Sequence, residues 1–136
     1  MKQIFLLIFV SLSVLSCGVD DDLPDFRYEF LPIESASIPD EFVSGEIYTI
    51  EFSYLKPSTC YHFHDMYYDS ELNIRTVAVV TKVFDEFCSD LEDNLETEAF
   101  QFLVNNTSGS YIFKFWQGID ENGEDQYLIY EVPVVQ

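Results

Sequence analysis

Two histidines lie two residues apart in the stretch Cys60-Tyr61-His62-Phe63-His64-Asp65-Met66. Side chains alternate between the two faces of a β-strand, so His62, His64 and Met66 are expected to share one face. Two imidazoles can bind a copper or zinc ion, and a thioether favours copper(I). A zinc site needs three or four protein ligands, however, and the sequence does not identify the others. A metal site at His62 and His64 and a solvent-facing histidine pair therefore both stay open.

The acidic segment Asp120-Glu121-Asn122-Gly123-Glu124-Asp125 is a second candidate site. Oxygen ligands around a glycine turn are typical of calcium loops, but the spacing and terminal glutamate of an EF-hand are missing. Asn-Gly is a strong signal for a two-residue hairpin turn, because both residues accept a positive φ. We therefore favour a hairpin with solvated carboxylates over a calcium site.

The sequence contains no convincing catalytic constellation. Its 25 acidic residues make chance neighbours common, so no carboxylate pair can be selected as acid and base. Neither histidine adjoins a nucleophile-elbow pattern, and Cys60 is expected to be oxidised rather than nucleophilic. The sequence thus predicts a non-catalytic protein without a cofactor.

The N-terminus has the organisation of a secretory signal, with a positive charge at Lys2, an apolar run from Ile4 to Val10 and small residues before Cys17. The run Val14-Leu15-Ser16-Cys17 resembles the lipobox of bacterial lipoproteins. This resemblance implies cleavage before Cys17 and acylation of its thiol and its new amine. Several acyl chains anchor a protein stably, because each buried methylene contributes about 0.8 kcal/mol. The predicted regions are a signal peptide at 1–16, a lipidated cysteine with an acidic tether at 17–25, and one domain at 26–136.

The residues that follow Cys17 predict the location of the protein. In bacterial lipoproteins an aspartate directly after the lipidated cysteine resembles an inner-membrane retention signal, and here that position is Gly18. Asp20 to Asp22 resemble a surface-export signal of some Gram-negative groups, and they equally fit a solvated spacer. We expect a lipid-anchored protein of the bacterial cell envelope, first at the outer membrane, with its outward face as an alternative.

The chain is strongly acidic, with a net charge of −19, and removal of residues 1–16 leaves five basic against 25 acidic side chains. Such a charge argues against nucleic acid and against anionic lipid surfaces as partners, because both repel it. Aromatic residues make up 17% of the chain, so it contains enough apolar surface to fold. The membrane is therefore expected as a partner only through the lipid.

Cys60 and Cys88 are the two cysteines that remain once Cys17 is lipidated. Outside the cytoplasm two such thiols usually form a disulfide. The bridge would close a loop of roughly 30 residues, for which the chain-entropy model gives about 3–4 kcal/mol of stability. A pair of free thiols that bind a metal is the alternative.

Alternating side chains predict strands along most of the domain. Phe26, Tyr28 and Phe30 alternate with charged residues and indicate a half-buried strand, and Tyr48 to Tyr54 show the cleanest alternation. Seven such segments and no convincing amphipathic helix predict an all-β domain. We expect an immunoglobulin-like antiparallel β-sandwich of about seven strands.

Loops at one end of this sandwich are expected to bind any protein partner. These loops are residues 56–60, 105–110 and 117–125. The candidate binding residues are Pro57, Ser58, Thr59, Tyr61, Trp116 and Tyr127.

Gly45 opens the strand before the loop Pro57-Ser58-Thr59-Cys60-Tyr61, and Lys114-Phe115-Trp116 follows later in the chain. In this order the segments resemble the motifs Asn-Pro-Thr-Thr-Gly-Tyr and Arg-Pro-Trp of the chagasin-type inhibitors of papain-like cysteine proteases, which are immunoglobulin-like domains. The resemblance implies that Pro57, Thr59, Tyr61 and Trp116 contact a protease cleft. Cys60 replaces the glycine of the first motif.

We interpret the sequence as a lipid-anchored envelope protein whose single domain is a non-catalytic binding or structural module. Two alternatives belong to other functional classes. One is a chagasin-like inhibitor of cysteine proteases, and the other is a copper or zinc binder that uses His62 and His64.

Overall fold

The computed structural model describes residues 25–85 and 87–136, so the predicted signal peptide, Cys17 and most of the tether lie outside the described residues. The described chain forms nine strands and no helix. The strands are β1 (Phe26–Leu31), β2 (Ile33–Ser37), β3 (Phe42–Val43), β4 (Ile47–Leu55), β5 (Tyr61–Glu71), β6 (Ile74–Phe84), β7 (Leu95–Leu103), β8 (Ser110–Ile119) and β9 (Asp125–Val135). Nowhere in these ranges is there a helix long and apolar enough to cross a membrane.

Two sheets form the predicted β-sandwich. The larger sheet contains six strands. Five of them follow the order β5-β6-β8-β9-β3, and the sixth, β1, pairs with β6 along the edge that β6 also shares with β8. The smaller sheet has the order β2-β4-β7. There are nine strands rather than about seven, because the expected connection between Pro32 and Gly45 contains the two additional strands β2 and β3. Pro32 separates β1 from β2. A proline has no N–H for a ladder, and the chain crosses there from the larger sheet to the smaller.

Two strand pairs are parallel, which the prediction of an antiparallel sandwich did not include. The short strand β3 pairs with β9, and β6 pairs with β8. The second pairing arises because β5 occupies the edge of the sheet and its hairpin partner β6 lies inside. β8 therefore pairs with β6, which runs parallel to it, and not with an antiparallel neighbour as expected.

The core lies between the sheets and consists mainly of aromatic and β-branched side chains. Its fully buried members include Phe42, Ile50, Phe52, Val77, Val79, Tyr111, Phe113 and Phe115. The buried Tyr111 hydroxyl accepts hydrogen bonds from the backbone N–H groups of Asn105 and Asn106, at 3.2 and 3.0 Å. The core therefore contains a large polar side chain without an unsatisfied polar atom.

The expected cluster of three loops at one end of the sandwich is wrong. Strands β4 and β7 pair along their whole length, with Leu55 opposite Leu95 and Ile47 opposite Leu103. The 56–60 loop follows Leu55 and the 105–110 loop follows β7, so these two loops lie at opposite ends. Because the 105–110 and 117–125 loops flank the two ends of β8, they are also separated.

The predicted disulfide between Cys60 and Cys88 is confirmed, with Cα atoms 5.4 Å apart. Cys60 directly precedes β5 and Cys88 follows β6, so the bridge closes the open end of this hairpin. The neighbouring segments are also paired: Thr59 N–H donates to Ser89 O and Leu91 N–H donates to Pro57 O, both at 2.9 Å. The disulfide therefore joins two loops that the backbone already aligns.

Replacing both Cys60 and Cys88 by serine is expected to lower the free energy of unfolding by about 3 kcal/mol, because the unfolded chain regains the freedom that the bridge removes. Urea denaturation followed by circular dichroism measures this loss. The reduced wild-type protein is the control and should show the same midpoint as the double variant. Equal midpoints for the oxidised wild type and the variant would contradict the stabilising role.

Candidate functional site

Aromatic side chains cover much of the outer surface of the larger sheet, on the side away from the core. We call this surface the aromatic face. Its members are Phe26, Tyr28, Phe30, His62, His64, Tyr67, Phe84, Trp116 and Tyr127. On β1 the alternation turns Phe26, Tyr28 and Phe30 outward while Leu31 is buried. The outward rings are about half exposed, Tyr28 at 53% and Phe30 at 51%.

The rings of the aromatic face contact one another across β6. The Tyr28 and His64 rings have centroids 4.7 Å apart, and Phe30 lies 6.3 Å from Tyr67 and 5.8 Å from Trp116. Strands β1 and β5 flank β6, whose small outward residues at this level include Ala78. The rings can lean over these residues and meet, so the face is one continuous surface.

Two shallow hollows lie between these rings. One has a volume of about 560 Å³ and is bordered by Tyr28, His64 and Tyr67. The other, of about 330 Å³, is bordered by Phe30, Tyr67, Thr76, Ala78, Trp116, Ile119, Asp125 and Tyr127. We call this second one the Trp116 hollow. Its lining contains a single charged side chain, Asp125, in a chain with 25 acidic residues.

The charged groups on the aromatic face are engaged with its rings. Trp116 Nε1 donates a hydrogen bond to Asp125 Oδ1 at 2.8 Å. Lys82 Nζ lies 3.7 Å from the centre of the Phe26 ring, and Lys114 Nζ lies 4.1 Å from the Tyr127 ring. Such cation–π contacts contribute about 0.5–1 kcal/mol at exposed sites. These contacts help to fix the orientation of rings that remain open to solvent.

Tyr127 lies opposite Trp116 on the adjoining strand β9. Burial among neighbouring side chains, followed by the charge of Asp125, raises the pKa of the Tyr127 hydroxyl. Like any protonated tyrosine hydroxyl, it can donate as well as accept a hydrogen bond.

The expected alignment of His62, His64 and Met66 on one face of β5 is not found. His62 packs against Phe84 at 5.5 Å and His64 against Tyr28. A bulge between Phe63 and Asp65 adds one residue to β5 and reverses the alternation beyond it. Met66 therefore turns inward and packs against the core, so its expected place beside the histidines is wrong. Within the described ranges no three His, Cys, Asp or Glu side chains are grouped to hold a metal.

The 57–60 loop adjoins the aromatic face at His62 and Phe84, with which Thr59 and Cys60 line a hollow, and not at Trp116. Ser58 and Cys60 are buried, and the loop pairs with residues 89–91 through the hydrogen bonds described above and a bridge from Ser58 to Asp90. No described contact joins this loop to Trp116, whose partners are Phe30 and Asp125. The six candidate binding residues form two groups: Pro57, Ser58, Thr59 and Tyr61 lie together at this loop, and Trp116 and Tyr127 lie together on the aromatic face. The chagasin-type interpretation gains no contact between the two groups.

Tyr61 contacts Glu29, a side chain on the inward side of β1. Its hydroxyl donates to Glu29 Oε2 at 2.8 Å, and Arg27 Nε donates to Glu29 Oε1 at 2.6 Å. The hydrogen bond from Tyr61, followed by that from Arg27, lowers the pKa of the Glu29 carboxyl. The same bond raises the pKa of the Tyr61 hydroxyl. Tyr61 therefore joins β5 to β1 rather than facing a partner.

The acidic segment 120–125 forms a hairpin turn as expected, but the two-residue Asn122-Gly123 turn is wrong: the loop has three residues, 121–123, closed by a hydrogen bond from Asp120 N–H to Glu124 O at 2.9 Å, and only Gly123 has a positive φ. Asp120 Oδ1 accepts hydrogen bonds from the N–H groups of Asn122 and Glu124, at 2.8 and 3.0 Å. Gly123 has φ +82°, which explains the need for glycine there. The carboxylate of Asp120 thus holds its own turn, and the calcium interpretation gains no support.

Sequence reasoning did not identify Phe26, Tyr28, Phe30 and Tyr67 as members of a surface. The available signal was the alternation of β1, where three aromatic side chains share one side of a strand that directly follows the tether.

Comparison of the chain with protein-family models, with curated proteins and with solved structures gives no match.

Substituting Tyr61 by phenylalanine is expected to raise the pKa of the Glu29 carboxyl towards its ordinary value, because its largest stabilising hydrogen bond is lost. A pKa lowered by folding stabilises the folded state above the unfolded-state pKa, and this contribution is lost as the pH falls through the folded-state pKa. The variant should therefore lose more stability at pH 7 than at acidic pH. Carboxyl-carbon NMR titration measures the shift.

Tyr130→Phe is the matched control, because the Tyr130 hydroxyl donates to the Ala36 carbonyl and not to a carboxylate. It should leave the titration of Glu29 unchanged. An unchanged Glu29 titration in Tyr61→Phe would show that this hydrogen bond does not perturb the carboxyl.

Proposed function

We propose that this protein is a lipid-anchored, non-catalytic binding module of the bacterial cell envelope and that it binds its ligand through the aromatic face. One observation supports this most: a continuous set of rings, with Tyr28, Phe30 and Tyr67 about half exposed, covers the outside of the larger sheet. Contiguous exposed apolar surface is uncommon on monomeric proteins and marks interaction sites.

The proposed anchor is the lipidated Cys17, at the outer membrane. The eight residues between it and Phe26 can span at most roughly 25–30 Å. Strand β1, which begins at Phe26, contributes three rings to the aromatic face. The binding surface would therefore lie near the membrane, and the acidic chain would keep the domain off anionic lipid.

The ligand class that best fits the aromatic face is a neutral glycan. Sugar rings present C–H groups that pack on the electron-rich faces of aromatic rings, and their hydroxyls need hydrogen-bonding partners around those rings. The Trp116 hollow offers Thr76, Asp125 and Tyr127 beside Phe30 and Trp116. With only one charged side chain in its lining, it favours an uncharged ligand over an ionic one.

Substitution of Cys17 by alanine in the full-length chain is expected to abolish palmitate incorporation and to release the protein from the membrane fraction. Metabolic labelling with a palmitate analogue, followed by fractionation of the cells, measures both effects. A variant that lacks Cys60 and Cys88 is the control and should keep its label. Label retained without Cys17 would contradict the lipid anchor.

Neutral oligosaccharides are expected to change the fluorescence of Trp116, the single tryptophan of the chain, when they bind the aromatic face. Replacing Tyr67 by alanine should weaken binding about tenfold, which corresponds to about 1.4 kcal/mol. The matched control is Leu103→Ala, because Leu103 is exposed to the same extent, 48%, but belongs to the smaller sheet. Titration of both variants with a panel of neutral glycans measures the difference.

Two results would reject glycan binding at this surface. In the first, no neutral glycan in the panel changes the Trp116 fluorescence. In the second, Tyr67→Ala and Leu103→Ala bind with equal affinity.

A further inference from the structure

One flank of the sandwich is open, because two strand edges there have no partner. Among the described strands, β5 pairs only with β6 and β7 pairs only with β4. On the other flank β2 contacts the larger sheet, where the Tyr130 hydroxyl donates to Ala36 O and Gln117 Nε2 donates to Ile33 O, each at 3.2 Å. Free edges present backbone N–H and C=O groups that can pair with another chain.

A groove with an aromatic floor separates these two edges. Its volume is about 440 Å³, and it is lined by Met66, Tyr68, Ser70, Arg75, Phe100, Gln101, Phe102, Leu103 and Asn105. The Tyr68 and Phe100 rings meet across it with centroids 5.8 Å apart. Tyr68 remains 39% exposed although it faces the other sheet. The groove therefore leaves part of the apolar interior uncovered.

Both strands that border the groove carry acidic side chains. Asp69 and Glu71 alternate on β5 with the groove-lining Tyr68 and Ser70, so they are exposed on the opposite side of that strand. Glu96 and Glu98 lie on the same side of β7 as Phe100. The only salt bridges of the described chain both involve Arg27, so none of these four carboxylates is paired with a basic side chain. Burial, followed by the charges of Glu98 and Glu96, raises the pKa of Tyr54 to about 12.

Arg75 is the one basic side chain that lines the groove, and its guanidinium is already engaged. It donates to the backbone carbonyls of Leu72 and Ile74, at 2.9 and 2.8 Å, and lies 5.0 Å from the centre of the Tyr111 ring. The acidic rim therefore keeps an unbalanced negative charge that a basic partner can neutralise.

We propose that this groove is a docking site for an extended segment of another protein in which apolar and basic residues alternate. The segment would add a strand to residues 66–71 of β5, which pair regularly with β6 beyond the bulge. Its apolar side chains would cover Tyr68 and Phe100, and its Lys or Arg side chains would lie opposite Asp69 and Glu71. Backbone hydrogen bonds supply affinity in this mode, and the side chains supply specificity.

The negative charge of this flank also disfavours pairing of β5 with acidic chains. A second copy of this protein would place its own acidic edge against Asp69 and Glu71, and like charges opposite each other destabilise a strand pair. The tether of this chain, with Asp20 to Asp22, has the same sign. The acidic residues that protect a free edge from self-association thus leave it open to a basic strand.

The test uses a ten-residue peptide of alternating valine and lysine, titrated into the mature protein by calorimetry. Two versions of the peptide have N-methylated amides, one on the valines and one on the lysines, so that each blocks one edge of the extended peptide. At least one of them should bind tenfold or more weakly than the parent. A valine–glutamate peptide should not bind.

Protein variants locate the site. Asp69→Asn combined with Glu71→Gln should weaken binding of the valine–lysine peptide about tenfold. Glu121→Gln combined with Glu124→Gln makes the same change of charge in the exposed turn between β8 and β9 and should alter the affinity less than twofold. Hydrogen exchange should show new protection of alternate amides in residues 66–71. Trp116→Ala should leave peptide binding unchanged, which separates this site from the aromatic face.

Two results would overturn the proposal. If the parent peptide and both N-methylated versions bind with equal affinity, the binding is non-specific charge attraction and not addition of a strand. Equal losses in the two double variants would place the peptide elsewhere on the acidic surface. Thermal melts of both variants establish that each is folded, since Asn and Gln preserve the size of the original side chains.

Discussion

Strand β6 pairs with two different strands along one of its edges, and this division of the edge determines the strand order of the larger sheet. β1 pairs antiparallel with the half from Val79 to Phe84, while β8 pairs parallel with the half from Ile74 to Val77. The end of β1 meets the side of β8, and β8 bends away from β6 at a bulge between Trp116 and Gly118. Gly118 has φ +105°, which glycine adopts without strain. The aromatic face follows from this arrangement, since it places the end of β1 beside Trp116.

The few basic residues mostly serve rings and backbone rather than the large excess of carboxylates. Lys82 and Lys114 lie over aromatic rings, and Arg75 bonds to carbonyls. Among the described residues, Arg27 alone forms ion pairs, with Glu29 and Asp85. Most acidic side chains therefore remain unpaired, which keeps the protein apart from other acidic surfaces and leaves its potential available to select partners. The two proposed ligands, one neutral and one basic, would bind on different sides of the same small domain.

Local patterns predicted those features that depend on local chemistry. Alternation identified seven of the nine described strands, and the Asn122-Gly123 pair located the last hairpin. The predicted export signal and the cysteine count led to the Cys60–Cys88 bridge. These features follow from backbone geometry or from the pairing of thiols, and neither requires knowledge of distant contacts.

The sequence did not predict the features that depend on which strands become neighbours. Alternation divides β1 into two sides but does not say which one packs inward, and here the side with Phe26, Tyr28 and Phe30 stays outside. The bulge near His64 adds one residue without a sequence signal, and this reversed the expected position of Met66. The parallel β6–β8 pair and the separation of the loops at 56–60 and 105–110 likewise depend on the global strand order.

The place where the tether joins the fold also has a mechanical consequence. Under the proposed anchoring, a tensile load between the membrane and a bound, immobile ligand enters the domain at Phe26, the first residue of β1. All six residues of β1 pair antiparallel with β6, from Phe26 opposite Phe84 to Leu31 opposite Val79. A pull along the strand axis loads these pairs together in shear instead of opening them one after another. The Arg27–Asp85 ion pair closes the end at which the load arrives. The strand that presents the first rings of the aromatic face is therefore also the one that resists detachment.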